Sequence, residues 1–475
     1  MTELHDLTAL DQAAAVRNGE VSPVELVDFY LGRIDRISAT LGAFVTVTED
    51  AARAQAKEAE RAVTGAGDPA ELPPLHGVPV AIKDLNLTAG VRTTLGSLLY
   101  ADFVPPVDDH VVTLLRRAGT ISLGKTNTPE FGLPCYTENA VAPPARTPWD
   151  PDRSAGGSSG GAAAAVAAGL VPFAQGSDGG GSIRIPASVC GLFGIKVSRG
   201  RVSNGPLGGD VTGLSWNGPL ARTVRDAAAM LDAMAVPMPG DPHWAPPLPA
   251  GESFLGHADR EPGRLRVGRF IDPVVGAAEV HPDCRRAWEE ASALLAELGH
   301  DVQDVPPPFG VEAVPMFETV WAVATHGVPV DPARVDELQP LTRWLRVRGA
   351  ARTGPQYLTA LGTLQLLSRQ GIAGLVDYDV ILTPTLAQPP RPVGWFTDGA
   401  DPAEDFERQK RFTPWTAVYN MTGQPAVNVP LRWTGEGLPI GVMLVGRPAG
   451  EATLISLSAQ LEAARPWADR HPAMW

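Results

Sequence analysis

Residues 155–168 read AGGSSGGAAAAVAA, and residues 176–188, a few positions later, read GSDGGGSIRIPAS. Between these two glycine-rich segments, VPFAQGS (171–177) has the composition of a buried β-strand. The alanine-rich stretch AAAAVAAG (162–169) that precedes it predicts a helix. We interpret the second glycine-rich segment as a turn. A loop, a helix, a strand and a turn in close succession indicate an α/β fold.

The alternation of helices and strands continues along the chain in both directions. The first 65 residues show helical spacing, and Ser22-Pro23 supplies an N-cap and a first helical residue. The predicted strands are PVAIK (79–83), TISL (120–123), DVILTPT (379–385), VNVPL (427–431) and IGVMLVG (440–446), and a helix follows the last of them. We therefore predict a mixed central β-sheet covered by helices on both faces.

The composition argues against several classes of protein. The formal net charge is −14, and no basic segment suited to a nucleic-acid partner is present. The three cysteines, Cys135, Cys190 and Cys284, are too widely spaced for a disulfide framework or a zinc site. The polar start MTELHDLTALDQ has no apolar signal segment, and the longest apolar run (162–172) is too short to span a membrane. We expect a cytoplasmic protein without a membrane partner.

Two short motifs match known patterns in their letters but not in their context. Gly119–Thr126 fits a P-loop, yet its variable positions form a strand and a turn follows, whereas a P-loop opens a helix. Gly156–Gly160 fits the G-x-S-x-G nucleophile elbow, but the preceding WDPDRSAG cannot be a buried strand. Nucleotide binding is therefore the least favoured of the three functions that we consider for this chain. Lys125 is interpreted as a structural or surface lysine.

Three segments carry residues suited to amide hydrolysis, which needs a nucleophile, a base and donors for the oxyanion. Three glycines, 179–181, immediately precede Ser182 and let backbone N–H groups approach a ligand closely, so Ser182 is the best-placed nucleophile. No histidine lies in such a context, whereas Lys83 ends an apolar strand where burial would lower its pKa. Asp84 would point to the opposite face of the strand. Ser158 can relay a proton between Lys83 and Ser182.

These segments resemble the amidase signature family, and the resemblance covers most of residues 70–230. It extends to LPPLHGVPVAIKD (72–84), RRAGTISLGKTNTPEFG (116–132) and GPLARTVRDAA (218–228). The resemblance implies a catalytic triad of Lys83, Ser158 and Ser182, with a cis peptide bond at Ser158. It also implies an oxyanion hole built from the backbone of Gly179, Gly180, Gly181 and Ser182. No metal or cofactor is required.

The resemblance also suggests a substrate class. Gly179 stands where the family usually has Thr or Ile, and the form SDGGGSIRIPAS resembles the branch that includes hydrolases of nylon oligomers and related synthetic amides. We expect a serine hydrolase of small or linear amides, anilides or carbamates, with esterase side activity, acting as a monomer or homodimer. The alternative is the amidotransferase subunit of a tRNA-dependent complex, which usually carries SIRQPA where this chain has SIRIPA (182–187).

Several further residues are assigned supporting or packing roles. We expect an ion pair between Asp178 and Arg184 to brace the glycine turn, and Ser159 to cap the alanine-rich helix. Cys190 is predicted to be a small core residue, Cys135 and Tyr136 are pocket candidates, and Met316, Phe317 and Trp321 are interpreted as core packing.

The domain organisation is predicted from length and composition. Residues 236–262 are rich in proline and glycine, and they read either as a linker or as a long excursion inside one domain. We expect a single domain over residues 1–475, with a catalytic core at about 70–230 and a more variable region at about 236–420 that shapes the substrate site.

Overall fold

A mixed sheet of eleven strands forms the centre of the protein. The structure, a computed structural model, describes residues 3–66, 68–208 and 210–475. The strands are β1 (Phe44–Val47), β2 (Pro79–Lys83), β3 (Ile121–Thr126), β4 (Phe173–Asp178), β5 (Phe193–Lys196), β6 (Trp216–Ala221), β7 (Arg266–Arg269), β8 (Asp301–Asp304), β9 (Val380–Pro384), β10 (Ala426–Trp433) and β11 (Pro439–Gly446).

Helices surround this sheet. In the described part of the chain the α-helices are α1 (Ala9–Arg17), α2 (Pro23–Leu41), α3 (Glu49–Gly65), α4 (His110–Arg117), α5 (Gly160–Ala167), α6 (Arg184–Cys190), α7 (Val224–Met234), α8 (Phe254–Ala258), α9 (Pro282–Glu297), α10 (Val314–Gly327), α11 (Pro340–Ala350), α12 (Gly354–Gly374), α13 (Pro402–Phe412), α14 (Val418–Thr422) and α15 (Glu451–Ala464).

The strand order across the sheet is β1-β3-β2-β4-β6-β5-β10-β11-β9-β7-β8. Strands β3, β2 and β4 run parallel to one another, as do β9, β7 and β8, and the pairings between these two groups are antiparallel. Strand β1 pairs antiparallel with β3 at one edge. The sheet is therefore mixed, as the sequence predicted.

Alternating side chains of the strands pack into cores on opposite faces of the sheet. Val80 and Ile82 of β2 contribute to one hydrophobic cluster, together with residues of α7 and α15. Ala81 contributes to another cluster, which contains residues of α2 and α5. Because successive side chains of a strand point to opposite faces, these clusters lie on the two sides of the sheet. The predicted α/β fold with helices on both faces is confirmed.

The structure corrects two local predictions. The first 65 residues are not entirely helical, because Phe44–Val47 forms the edge strand β1. The second glycine-rich segment is not a turn throughout, since its last residues begin helix α6 at Arg184. Pro186 is compatible with this helix because it occupies the first turn, where a backbone N–H has no intrahelical partner.

The proline-rich segment 236–262 lies between α7 and β7 and includes the short helix α8. Strands from before and after this segment join in the same sheet, since β5 pairs with β10. The single-domain organisation stays a prediction.

Candidate active site

Lys83 ends strand β2 and is completely buried. Its Nζ lies 2.8 Å from Ser158 Oγ, 3.1 Å from Ser177 Oγ and 3.3 Å from the Ser177 carbonyl oxygen. These neighbours are neutral oxygen atoms and not carboxylates. The lysine is therefore held by polar contacts without an adjacent negative charge that would fix it in the ammonium form.

Burial lowers the pKa of Lys83 to about 7, against the attraction of the more distant Asp178 carboxylate. The neighbouring Asp84 does not contact this amine. Its carboxylate accepts hydrogen bonds from Thr94 N (2.9 Å) and from the Thr94 hydroxyl. The expectation that Asp84 points away from Lys83 agrees with these contacts. A substantial fraction of Lys83 is thus neutral near pH 7.

Ser158 lies in the loop that precedes α5, and the peptide bond between Gly157 and Ser158 is cis. The backbone of Tyr136 packs against Gly157 so closely that a Cβ atom there would lie 2.7 Å from the Tyr136 carbonyl carbon. Only glycine fits at position 157. This close packing fixes the approach of the loop to Lys83.

Asp178 organises the glycine turn that carries Ser182. Its Oδ1 accepts a hydrogen bond from Gly181 N (2.7 Å) and its Oδ2 accepts one from Ile183 N (3.1 Å), so the carboxylate spans the turn and the start of α6. Arg184 forms the predicted ion pair with Asp178 at 2.9 Å, and both side chains are completely buried. Burial by itself would raise the pKa of Asp178, but Arg184 and the hydrogen bond from Asn420 hold that pKa below its usual value.

One backbone N–H group of the turn is bonded within the protein, and the others have no protein acceptor among the described residues. Gly181 N–H is already bound to Asp178, although the resemblance placed it in the oxyanion hole. Among the described residues, no backbone group or side chain accepts a hydrogen bond from the N–H groups of Gly179, Gly180 or Ser182. These three N–H groups are therefore the ones open to a ligand.

Ser182 lies where two cavities meet. The larger, of about 390 Å³, is also lined by Ser158 and Ser177 and extends to a group of polar side chains. The smaller, of about 70 Å³, is mainly apolar and includes Phe317 and Cys135. Ser182 is only 8% exposed, and its Oγ has no hydrogen-bond partner in the part of the chain that the structure describes.

Two aromatic residues were assigned to core packing, and the structure gives them a second role. Phe317 and Trp321 stack with ring centroids 5.4 Å apart and line the cavities beside Ser182. Met316 packs only at the edge of the adjoining core. Of the two pocket candidates in the loop after β3, Cys135 lines the smaller cavity, while Tyr136 lines a separate one and donates to Asp405 (2.7 Å).

Sequence reasoning missed Ser177, which contacts Lys83 through both its hydroxyl and its carbonyl oxygen. Its position directly before Asp178 in the glycine-rich segment was the available signal. Ser159 occupies the N-cap position of α5, as expected, but its hydroxyl makes no capping bond and donates instead to the Ser177 carbonyl oxygen (3.2 Å). Cys190 is buried in the core, as predicted.

The P-loop-like stretch does not form a phosphate site. Lys125 lies inside strand β3, is completely buried, and donates to the Asn86 carbonyl oxygen and to Thr88 Oγ1 (3.1 Å). An ammonium group bonded in this way cannot reach a nucleotide phosphate. Within the described residues, no cluster of three or more His, Cys, Asp or Glu is arranged to hold a metal ion. None of the described helices has the length and apolar character needed to cross a bilayer.

A family model described as Amidase matches residues 25–455, so the chain belongs to the amidase signature family, whose members hydrolyse amide bonds. The acylamidase of Rhodococcus erythropolis is 35% identical over 100% of this chain and 99% of its own length. The 6-aminohexanoate-cyclic-dimer hydrolase of Paenarthrobacter ureafaciens is 34% identical over 99% of this chain and 96% of its own.

Solved structures agree with this assignment. A 6-aminohexanoate cyclic dimer hydrolase complexed with substrate superposes with a TM-score of 0.91 at 32% identity, covering 99% of this chain and 100% of the other. A bacterial aryl acylamidase of the amidase signature family superposes with a TM-score of 0.86 at 28% identity, covering 98% of each chain. The family resemblance drawn from the motifs is confirmed.

Proposed function

We propose that this amidase cleaves its substrates through an acyl-enzyme on Ser182, with Lys83 as the base and Ser158 as the proton relay. The contact that carries the proposal is the 2.8 Å separation between Lys83 Nζ and Ser158 Oγ. A buried lysine whose pKa is lowered to about 7 can accept a proton at neutral pH. Ser158 and Ser182 line the same cavity, which supports a relay between them.

Each step of the reaction follows from these positions. Lys83 takes the proton of Ser158, and Ser158 takes the proton of Ser182 as Ser182 Oγ forms a bond to the carbonyl carbon. The C–N bond then breaks, and the proton returns through Ser158 to the leaving nitrogen. Water attacks the acyl-enzyme by the same proton path and releases the acid. Catalytic hydrogen bonds are often long before substrate arrives, which agrees with the unpartnered Ser182 hydroxyl.

The open N–H groups of Gly179, Gly180 and Ser182 would stabilise the oxyanion. Backbone donors that are fixed in place before the reaction stabilise the developing charge, and removing one such donor typically raises the barrier by about 3–4 kcal/mol. In this proposal the Gly181 N–H group stabilises the turn through its hydrogen bond to Asp178, and the other three N–H groups bind the substrate oxyanion.

The substrates we propose are small or linear amides and anilides, with carbamates and esters as side substrates. The support is the apolar cavity beside Ser182 and the similarity to proteins named acylamidase and cyclic-dimer hydrolase. A panel of alkyl amides, anilides, carbamates and aryl esters, read by product mass, tests this directly. We expect turnover of amides and anilides by the purified chain alone, and a loss of at least about 10³-fold in Ser182→Ala.

Near-normal turnover in Ser182→Ala would show that another residue is the nucleophile. Ser188→Ala is a matched control, because Ser188 lies six residues later in α6 and its hydroxyl accepts a hydrogen bond from Gly441 N, away from the cavities. It should retain activity.

A further inference from the structure

The larger active-site cavity has one strongly polar end. Its lining there consists of carboxylate and amide side chains, namely Asn86, Asp109, Asn204, Asp210 and Asn217. No Lys, Arg or His side chain lines this cavity in the part of the chain that the structure describes. A substrate group that enters this end therefore meets hydrogen-bond acceptors and negative charge.

Asp109 offers an acceptor that the protein does not use. It is only 8% exposed, and its Oδ2 accepts hydrogen bonds from Asn86 Nδ2 (3.1 Å) and Leu87 N (2.9 Å). Its Oδ1 accepts no hydrogen bond from any described residue. A carboxylate oxygen left open in a largely buried position is costly unless water or a ligand fills the place.

A hydrogen-bonded amide network holds Asp109 in place. Asn86 accepts from Gln175 Nε2 (2.9 Å), and Gln175 Oε1 accepts from Lys83 N (3.0 Å). Gln175 Nε2 also donates to Asn217 Oδ1 (2.8 Å). The network therefore connects the open carboxylate to the strand that carries the catalytic lysine, and it leaves Oδ1 as the free acceptor.

Among the described residues, no cation forms an ion pair with the Asp109 carboxylate. Lys125 is the buried cation that acts on it, but its Nζ is bonded to the Asn86 carbonyl oxygen, Thr88 and Thr93. His110 adds a smaller attraction, and its Nδ1 is bonded to Ser203 Oγ (2.8 Å). Burial raises the pKa of Asp109 to about 6, so the carboxylate is charged above neutral pH. The other acid, Asp210, is occupied by four hydrogen bonds from Thr212, Leu214 and Ser215.

We propose that the polar end of the cavity is a subsite for a cationic group of the substrate, an alkylammonium carried several bonds from the scissile amide, with Asp109 Oδ1 as its acceptor. This inference rests on the proposed function, because the subsite belongs to the cavity that Ser182 lines. An ammonium supplies both the positive charge and the hydrogen-bond donor that the open oxygen lacks. Asp109 is thus a residue that sets substrate preference and takes no part in proton transfer.

Two matched pairs of substrates test the proposal. In the first, 6-aminohexanoyl p-nitroanilide and heptanoyl p-nitroanilide differ only by an ammonium in place of a methyl group on the acyl side. In the second, N-(5-aminopentyl)hexanamide and N-hexylhexanamide make the same exchange on the amine side. In at least one pair we expect the wild-type enzyme to favour the cationic member, with that preference falling about 10- to 100-fold in Asp109→Asn.

The asparagine variant suits this test because its amide oxygen can still accept from Asn86 and Leu87. The readout is the ratio of kcat/KM between the cationic and the neutral member of each pair, so a general loss of activity in the variant lowers both values and leaves the ratio unchanged. An unchanged preference in both pairs, or an equal fall for both members of each pair, would overturn the proposal. If the wild-type enzyme cleaves no member of either pair, the proposed function fails instead, and the two failures are thereby distinguished.

A measurement on the unmodified enzyme keeps the test independent of the variant's folding. Pentylammonium and pentanol are compared as competitive inhibitors of the cleavage of heptanoyl p-nitroanilide. We expect the ammonium to bind at least about tenfold more tightly, as a charge-assisted hydrogen bond requires. Equal inhibition constants would contradict a cation subsite.

Discussion

Lys83 is buried beside two hydroxyl groups, with no acidic side chain in direct contact among the described residues. A carboxylate in that place would stabilise the ammonium form and remove the base. The acid that acts on the lysine, Asp178, is neutralised by Arg184. In the proposed mechanism, burial together with this neutralisation makes Lys83 a usable base.

The pH dependence of the reaction follows from the lysine. Burial lowers its pKa to about 7, so protonation removes the base below that pH. We expect kcat/KM to fall about tenfold per pH unit below pH 7 and to reach a plateau above about pH 8. The measurement is a pH–rate profile on a neutral anilide, which does not titrate in this range.

A matched variant separates this effect from general acid sensitivity. Lys57 is exposed on α3 and lines neither cavity beside Ser182, so Lys57→Met should leave the profile unchanged. Lys83→Met should abolish the activity at every pH. A profile that is flat from pH 6 to 9 would contradict the assignment of a neutral lysine base.

At the residue scale, the sequence singled out Lys83, Ser158 and Ser182 as candidates because glycines and strand ends mark them locally. Lys83 ends an apolar strand, and Ser158 and Ser182 lie in segments too rich in glycine for ordinary packing. Ser177 and Asp109 could not be found in the same way. Their importance depends on neighbours distant in sequence, since Ser177 meets Lys83 across 94 positions.

The element that positions Ser182, the proposed nucleophile, is the glycine turn between β4 and α6. Gly181 adopts a φ of +130°, a conformation that side chains strongly disfavour, and its N–H is fixed by Asp178. A Cβ atom there would lie 2.7 Å from both Ile185 Cδ1 and Thr416 Cβ. The turn therefore requires glycine at this position for conformation and for space.

Alanine substitutions within this turn give a matched comparison. Gly181→Ala should lower the free energy of unfolding by at least about 1–3 kcal/mol, through backbone strain alone, and should displace Ser182. Gly179→Ala should be tolerated, because its Cβ would meet Ser215 Cβ and Trp321 at an ordinary 3.4 Å and its N–H is kept. Chemical denaturation and anilide turnover measure the two effects. Equal stability and activity in both variants would contradict this account of the turn.

At the element scale, sequence patterns located most strands but misjudged α6. Glycines and Pro186 suggested a turn through residue 188, whereas the helix begins at Arg184. The helix start is capped by Asp178, which accepts from Ile183 N across five residues and not from the usual N-cap position, so a standard capping pattern does not mark it. Strand β1 was missed because it is only four residues long and lies between two helices.

Across the whole molecule, a single sheet connects the segment that holds the proposed catalytic residues with the later segments that line the cavities beside Ser182. Strand β5 pairs with β10, although more than two hundred residues separate them. No sequence pattern specifies such a pairing, so the sheet order could not be predicted, whereas the fold class could. The cavity-lining role of residues in α10 likewise could not be predicted from the sequence, because no motif marks them.

The continuous sheet bears on the predicted single domain. We propose that residues 1–475 unfold as one cooperative unit, since β10 and β11 cannot separate from β5 without exposing the shared core. Denaturation followed by tryptophan fluorescence and by far-ultraviolet circular dichroism should give coincident transitions. Two separated transitions would indicate that segment 236–262 divides independent domains.

The central claim is that Ser182 becomes acylated, and intact-protein mass spectrometry of the enzyme mixed with a p-nitrophenyl ester tests it most directly. We expect a transient mass increase equal to one acyl group, located by peptide mapping on Ser182 and absent in Ser182→Ala. An acyl group found on another residue, or turnover without any covalent species in a rapidly quenched sample, would contradict the account.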